Sequence, residues 1–433
     1  MGKLFLIAFR NLLQHKRRTF MLGGAIAGVT ALLVAVLALT NGVRETMLES
    51  ATTLMTGHVN VAGFYKVTSG QSAPVVTDAK KVAEIVRLEV PEAAWVSNRG
   101  RGWARLVSDT ASMQLGIAGI DIATEPGFRE VVQVKEGNLD DLSKPNGLLL
   151  FEKQAEKLEV KVGDTLTFSA PSPRGVNNTL DVQVVVIARD VGLLSSFNSF
   201  LNNEGLRNLY QLNDDTTGAL HIYLKDMSQV NTVKERLRAV FAKEGFELMA
   251  EDPRSFWMKF ETVNREAWVG QRLDISTWEA EISFIQWTLM ALNALSFLLI
   301  FVLMVIISVG IMNTLWIAIR ERTREIGTLR AIGMQKNRVL AMFVIEGFTL
   351  GLMGTLAGVI VGLAACFGVN AAAISVPLGV QMFVMSDTLK LAASPGGIVF
   401  AVLLITGSTT FISLFPSFLA ARMKPITAMH HIG

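Results

Sequence analysis

Cysteine is almost absent. Cys366 is the only one in 433 residues, and it lies within an apolar run. That excludes an intrachain disulfide, a cysteine-based zinc site and an N-terminal lipid-anchor site, and leaves a small buried membrane residue. Histidine is sparse as well. His15, His58, His221, His430 and His431 are scattered without HExxH or other metal-ligand spacing, and the terminal pair reads as a solvated tail. No glycine-rich loop ending in Gly-Lys-Ser/Thr is present to cradle a nucleoside triphosphate, and no GxSxG nucleophile turn occurs. A non-catalytic chain, binding no metal or cofactor itself, is expected.

Charge is scarce inside four apolar runs. With 51% hydrophobic residues, 18% charged residues and a mean hydropathy of +0.41, the chain is too apolar for an ordinary soluble globule and too charged to lie wholly in lipid. The formal charge of +3 hides basic residues crowded at the ends of the apolar runs, a pattern that sets membrane topology rather than nucleic-acid binding. Crossing a bilayer takes roughly 20 helical residues, and residues 19–40, 283–319, 339–369 and 396–419 each suffice. A basic leader, 1–18, carries Lys3, Arg10, Lys16, Arg17 and Arg18. The run after it exceeds the roughly 7–15 residues of a cleaved signal, so an uncleaved anchor is expected. Basic flanks place the leader, segment 320–338 and the tail 420–433 in the cytoplasm, with loop 370–395 outside. This is the expected topology of a multi-pass inner-membrane protein.

Between the first two spans lies an insert, 41–282, with strand patterns at 57–64, 113–120, 164–169, 180–188 and 219–224 and helical patterns at 78–88, 152–158 and 228–244. The fold class expected is a membrane protein of four transmembrane α-helices with a large α+β extracytoplasmic domain between helices 1 and 2. Residues 256–282 are expected to form a stalk. Trp257, Trp268, Trp278 and Trp287 fit either a helix along the membrane interface or packing against the outer domain. Pro171, Pro173 and Gly175 mark an exposed turn. The third run repeats Gly347, Gly351, Gly354, Gly358 and Gly362, a close-approach seam within the chain or between subunits. Glu346, in the same run, is expected to pair with a basic residue of segment 320–338.

Segment 320–338 opens with RERTREIGTLRAIG, a charged, helix-prone stretch between two membrane runs that suits a push from a cytoplasmic partner. Ile326, Leu329 and Ile332 are expected on one face and the charges on the other. Continued to residue 347, RERTREIGTLRAIGMQKNRVLAMFVIEG resembles the cytoplasmic loop of the MacB/FtsX-type ABC permeases, the type VII exporters. PSFLAARMKPITAM (416–429) is similar to their C-terminal signature, AFRNLLQHKRRTF (8–20) to their leader, and NGLLLFEKQAEKLEVKVGD (146–164) to part of their periplasmic core.

The resemblance implies a dimer of permease subunits, homo- or hetero-, served by two copies of a cytoplasmic ABC ATPase that binds the ATP and magnesium. It implies an ATPase-coupling role for Thr323, Glu325, Ile326, Gly327, Leu329, Arg330 and Gly333, and mechanotransmission rather than a conducting pore. This chain shows no ATPase domain, and TGHVNVAGF (56–64) is closest to the lipoprotein-release LolC/LolE permeases. Lipoprotein extraction for a periplasmic carrier is therefore the leading expectation, with membrane lipids as surroundings and no nucleic acid. The turn with Pro171, Pro173, Arg174 and Gly175 occupies a position similar to the family's carrier-recruiting Hook but is shorter. Leu32, Val36, Leu39, Phe284, Leu289 and Leu292 are the expected cargo cavity. Efflux of peptides or amphiphiles, and regulation of a periplasmic partner without transport, stay open as alternatives.

Overall fold

The computed structural model describes residues 10, 14, 16–68, 71–192, 194–377, 380–381, 386 and 388–422. Most of the leader, and the C-terminal signature beyond residue 422, lie outside them. Two compact units emerge, one from Met1–Glu45, Leu289–Ser375 and Thr388–Gly433, the other from Thr46–Thr288 with Val376–Asp387.

The first helix, α1 (Lys16–Leu54), runs beyond the apolar stretch that ends at residue 40. The fourteen residues that follow contain no proline and enough good helix formers to continue it. At 1.5 Å per residue it is about 58 Å long, nearly twice a hydrocarbon core of roughly 30 Å.

The second unit contains strands β1 (Val59–Thr68), β2 (Gln71–Ala73), β3 (Val76–Thr77), β4 (Ala93–Val107), β5 (Ser112–Ile120), β6 (Val134–Gly137), β7 (Gly147–Phe151), β8 (Thr165–Pro171), β9 (Asn177–Ala188), β10 (Asn198–Asn202), β11 (Thr216–Thr217), β12 (Ala219–Leu224) and β13 (Gly270–Thr277). Its helices are α2 (Ala79–Glu89), α3 (Pro126–Val131), α4 (Glu152–Leu158), α5 (Leu194–Phe197), α6 (Asn203–Tyr210), α7 (Val230–Lys243), α8 (Phe256–Arg265) and α9 (Trp278–Glu281). One mixed sheet follows the order β13-β1-β12-β4-β5-β10-β7-β9-β6, with β2 on β1, and β8 paired to both β4 and β9.

Strand β4 spans the middle of this sheet, pairing β12 from Ala93 to Arg99 and β5 from Gly100 to Val107. It therefore joins two apolar cores. One gathers Val59, Val61, Val82, Ile222, Leu237, Phe241 and Leu273, the other Leu106, Ile117, Leu148, Phe168, Val184 and Leu206.

Residues 256–282 do not form the expected stalk. They fold as α8, β13 and α9, and β13 pairs with β1 along its whole length, from Val59↔Thr277 to Lys66↔Gly270. Buried Leu273 and Ile275 hold it in the sheet. Trp268 packs with Phe64, Met249 and Val263, and Trp257 against Phe284. Only Trp287, highly exposed, retains the character of a membrane-interface residue.

The helical unit continues with α10 (Gln286–Glu321), α11 (Thr323–Ala331), α12 (Lys336–Ala371) and α13 (Pro395–Arg422). Among the described residues four helices are long and apolar enough to cross a membrane: Thr19–Leu54, Ser283–Glu321, Lys336–Ala371 and Pro395–Arg422. The glycine series of α12 forms a seam inside the chain. A Cβ at Gly347 or Gly351 would stand 2.8–2.9 Å from Ser413 or Thr409 on α13, and one at Gly358 would stand 2.5 Å from the Ala27 carbonyl on α1. Backbones meet directly along this face, as small residues permit in membrane helices.

Candidate functional site

Two places in the chain concentrate chemistry. The first is the segment after α10. A single residue, Arg322, separates α10 from α11, and its Nη1 lies 3.2 Å from Glu346 Oε2 with both side chains buried. That is the pairing expected for an ionisable group in an apolar helix, which is costly to bury without a partner. Ile326 is buried with Ile319, Val339, Met342, Phe343, Ala420 and Ala421, so it anchors α11 to its own bundle. The Arg330 guanidinium donates to the Ala421 carbonyl at 2.6 Å, and Thr323 Oγ1 to the Ile319 carbonyl at 3.0 Å.

Helix α11 ends in a Schellman closure. Gly333 takes φ +105°, its N–H reaches the Arg330 carbonyl, and Met334 N–H reaches the Leu329 carbonyl. This closure corrects the expected apolar face. Ile326 is 1% exposed and Leu329 half-buried, whereas Ile332, just past the helix end, is 80% exposed. Glu325 and Gly333 are exposed too, while Thr323 and Gly327 are buried. The expected coupling residues thus divide into anchors (Thr323, Ile326, Gly327, Arg330), the half-buried Leu329, and the exposed Glu325 and Gly333, beside which Ile332 adds an outward apolar side chain.

The second place, at the middle of β4, was not read from sequence. Alternation along the strand puts Gly100 and Gly102 on one face and Arg99, Arg101 and Trp103 on the other. Both glycines are required by close packing, since a Cβ at Gly102 would lie 2.4 Å from the Tyr210 hydroxyl and one at Gly100 2.9 Å from Leu206. On the other face Arg99 is fully buried. Its Nη2 donates to Glu125 Oε2 at 2.6 Å and to the Thr53 carbonyl at 2.8 Å, and Nη1 to the Leu54 carbonyl at 3.2 Å. It therefore caps the last carbonyls of α1, where the helix dipole favours a cation. Nearby, Lys259 Nζ pairs with Asp274 at 2.7 Å, and Ser276 Oγ donates to Glu281 at 2.9 Å. Arg101 Nη2 contacts His221 Nε2 at 3.3 Å. A cavity of about 430 Å³ opens beside this cluster, lined by Arg101, Trp103, Leu115, Phe197, Trp257 and Phe284 among others.

Burial, reinforced by the Arg101 and Arg99 guanidiniums, holds the His221 imidazole well below its ordinary range. The unfolded imidazole takes a proton as pH falls through about 6.5 while the folded one does not, so stability present at neutral pH is lost below that value. The slope is about 1.4 kcal/mol per pH unit. His58 is lowered in the same sense by burial, against a hydrogen bond from Leu224 N–H. Asp274, raised by burial, acts in the opposite sense. His221→Gln should flatten the decline in melting temperature between pH 6.5 and 5.5, measured on the whole chain in detergent. An unchanged slope would show that another group governs it.

The remaining sequence-read residues are dispersed. Pro171, Pro173, Arg174 and Gly175 sit in a tight β8–β9 hairpin in which Ser172 N–H reaches the Val176 carbonyl at 2.8 Å, a turn rather than a projecting arm. Leu32 is exposed and Val36 and Leu39 half-buried on α1, while Leu289 and Leu292 are half-buried on α10. Phe284 belongs to the second unit and the other five to the first. A cleft between α1 and α10 is lined by Met21, Ala25, Val29, Ile306, Gly310 and Ile317, with Lys16, Arg17 and Glu321 at one end.

Two family descriptions match the sequence: the MacB-like periplasmic core domain over residues 19–240 and the FtsX-like permease C-terminal region over residues 297–425. The macrolide export ATP-binding/permease protein MacB of Nitrobacter winogradskyi is 26% identical over 98% of this chain, and the chain spans 59% of that protein's length. MacB of Pectobacterium atrosepticum is 31% identical over 28% of this chain and 17% of its own length. Among solved structures, the periplasmic region of MacB from Actinobacillus actinomycetemcomitans is 14% identical, covers 43% of this chain and 86% of its own, and superposes with a TM-score of 0.30.

Proposed function

The chain belongs to the family that joins a MacB-like periplasmic core domain to an FtsX-like permease region, and we propose that it is the membrane subunit of an ATP-driven exporter of amphiphilic molecules. The observation that carries this reading is α11, a short capped helix anchored by Ile326 and the Arg330–Ala421 hydrogen bond, with Ile332 and Glu325 turned outward. A firmly seated helix with an exposed apolar tip can accept a push from a partner without melting.

In this reading a cytoplasmic ATPase, binding ATP and magnesium, docks on α11 of each of two permease subunits. Basic flanks put that segment and both termini inside. Force enters α10 through the single residue Arg322, and α10 is covalently continuous with β13 through α9 and a 3₁₀ turn at Ser283–Ile285. The macrolide-export names of the relatives favour efflux over the lipoprotein release expected from the sequence. The short β8–β9 hairpin likewise gives a carrier little to hold.

Deleting the gene in its native cell tests this. We expect increased susceptibility to amphiphilic antibiotics, with acylated lipoproteins sorted normally. Lipoproteins stranded in the inner membrane would replace efflux by lipoprotein release, and neither effect would leave regulation of a periplasmic partner.

A further inference from the structure

Among the buried cations of the second unit, Arg101 stands apart. Arg99 has Glu125 and Lys259 has Asp274 at ion-pair distance, and the buried Lys66 donates to the Val263 and Glu266 carbonyls. Arg101 is 7% exposed, and the one hydrogen bond of its side chain among the described residues is the 3.3 Å contact to His221 Nε2. Glu281 and Asp274 act on it only through space, because the first accepts from Ser276 Oγ and Phe256 N–H and the second from Lys259 Nζ. The His221 imidazole is neutral at physiological pH and offers one lone pair. Of the five donor hydrogens of a guanidinium, most are left unused. A buried cation in this condition is costly unless an anion completes it.

The place where an anion would sit is already formed. Arg101 lines the cavity of about 430 Å³, a size typical of small-molecule sites, with its guanidinium 4.4 Å from the centroid of the Phe256 ring. The ion-paired Arg99, with Gln114, Asn198 and His221, also reaches the lining, and the rest of the wall is mainly apolar: Leu54, Leu115, Ile117, Phe197, Trp257 and Phe284. Phe197 is 61% exposed. One cation without an ion-pair partner, against mainly apolar walls, selects a molecule with one anionic end and an apolar body.

We propose that this cavity binds an acidic amphiphile, an apolar chain or ring system bearing a single carboxylate or phosphate, with the anion held by charge-assisted hydrogen bonds from Arg101. As a cargo-reading site it rests on the export function proposed above; as a binding site it does not.

The test uses the full chain in nanodiscs of zwitterionic lipid, with empty nanodiscs subtracted. Trp103 and Trp257 line the cavity and report by fluorescence. Octanoate and octyl phosphate should bind saturably, octanol and octylamine at least tenfold more weakly, and inorganic phosphate alone not measurably. Arg101→Gln should reduce affinity for the acids to that for octanol and leave octanol unchanged. A photoreactive fatty-acid analogue should label peptides containing Leu115–Ile117 or Trp257. Equal binding of acid and alcohol, an unaffected Arg101→Gln chain, or labelling confined to the membrane helices would overturn the proposal. Should Arg101→Gln fail to fold, the comparison of acid, alcohol and amine on the unaltered chain still decides. ATPase association measured in the same nanodiscs separates the two ideas. Lost acid binding with the ATPase attached removes the site alone, and intact acid binding without the ATPase removes the export reading alone.

Discussion

Glu125→Gln should destabilise the second unit by about 3–5 kcal/mol, the usual consequence of stranding one charge of a buried pair. Arg99 is 1% exposed and Glu125 2%, so solvent cannot take over the lost partnership. The guanidinium would keep its hydrogen bonds to the Thr53 and Leu54 carbonyls but lose its counter-charge. For a unit of this size, melting falls about 2–4 °C per kcal/mol, and a drop of roughly 6–20 °C is expected, followed by tryptophan fluorescence on the whole chain in detergent. The double substitution Arg99→Met with Glu125→Leu should recover much of it, because apolar residues of similar volume commonly replace buried ion pairs without loss. A Glu125→Gln chain that melts with the unaltered one would show that the pair is not holding α1 to β4.

Ile332→Asp should abolish the proposed ATPase-driven transport while leaving the fold intact. An isoleucine exposed by 80% contributes nothing to the chain's own core, yet burying it against a partner would be worth about 1.5–3 kcal/mol. Replacing it by a carboxylate also adds a desolvation penalty. Together these should weaken ATPase association by at least a hundredfold in a pull-down from detergent, with melting unchanged. Glu325→Lys, also at the exposed tip, should act in the same direction. Gly327→Trp is a poorer probe, since Gly327 is buried and the substitution would disturb the bundle. Undiminished association of the Ile332→Asp chain would remove α11 as the docking element.

Where periodicity and chemistry agree, the sequence alone is a sufficient guide. The helix at Glu152–Leu158 follows from amphipathic spacing, and the strand at Ala219–Leu224 from a short apolar run that is buried on both faces. The Arg322–Glu346 pair is legible because a charge in an apolar run demands a partner. Strand β4 is not legible in the same way. Its arginines look like the solvated face of a strand, and their burial follows from Glu125 and the end of α1, both remote in sequence. The one available signal was an Arg-x-Arg-x-Trp alternation opposite two glycines. Residues 256–282 misled because tryptophans beside a membrane span suit an interface as well as a core, and only the pairing of β13 with β1 distinguishes them. Ile332 leaves the expected apolar face because α11 closes at Gly333 and helical spacing does not continue through that turn.

The glycine seam has a consequence for biogenesis. Ala27 and Gly358, which meet at backbone distance, are synthesised hundreds of residues apart. At roughly 5–20 residues per second, α1 must wait tens of seconds in the bilayer before its partner emerges. During that interval every strand of the large sheet is made, β13 last. The sheet can therefore close before the helical bundle, and a ribosome that stalls after α10 would leave a finished outer domain on an unassembled pair of helices. Membrane quality control would meet such a chain as a bundle lacking its central stave.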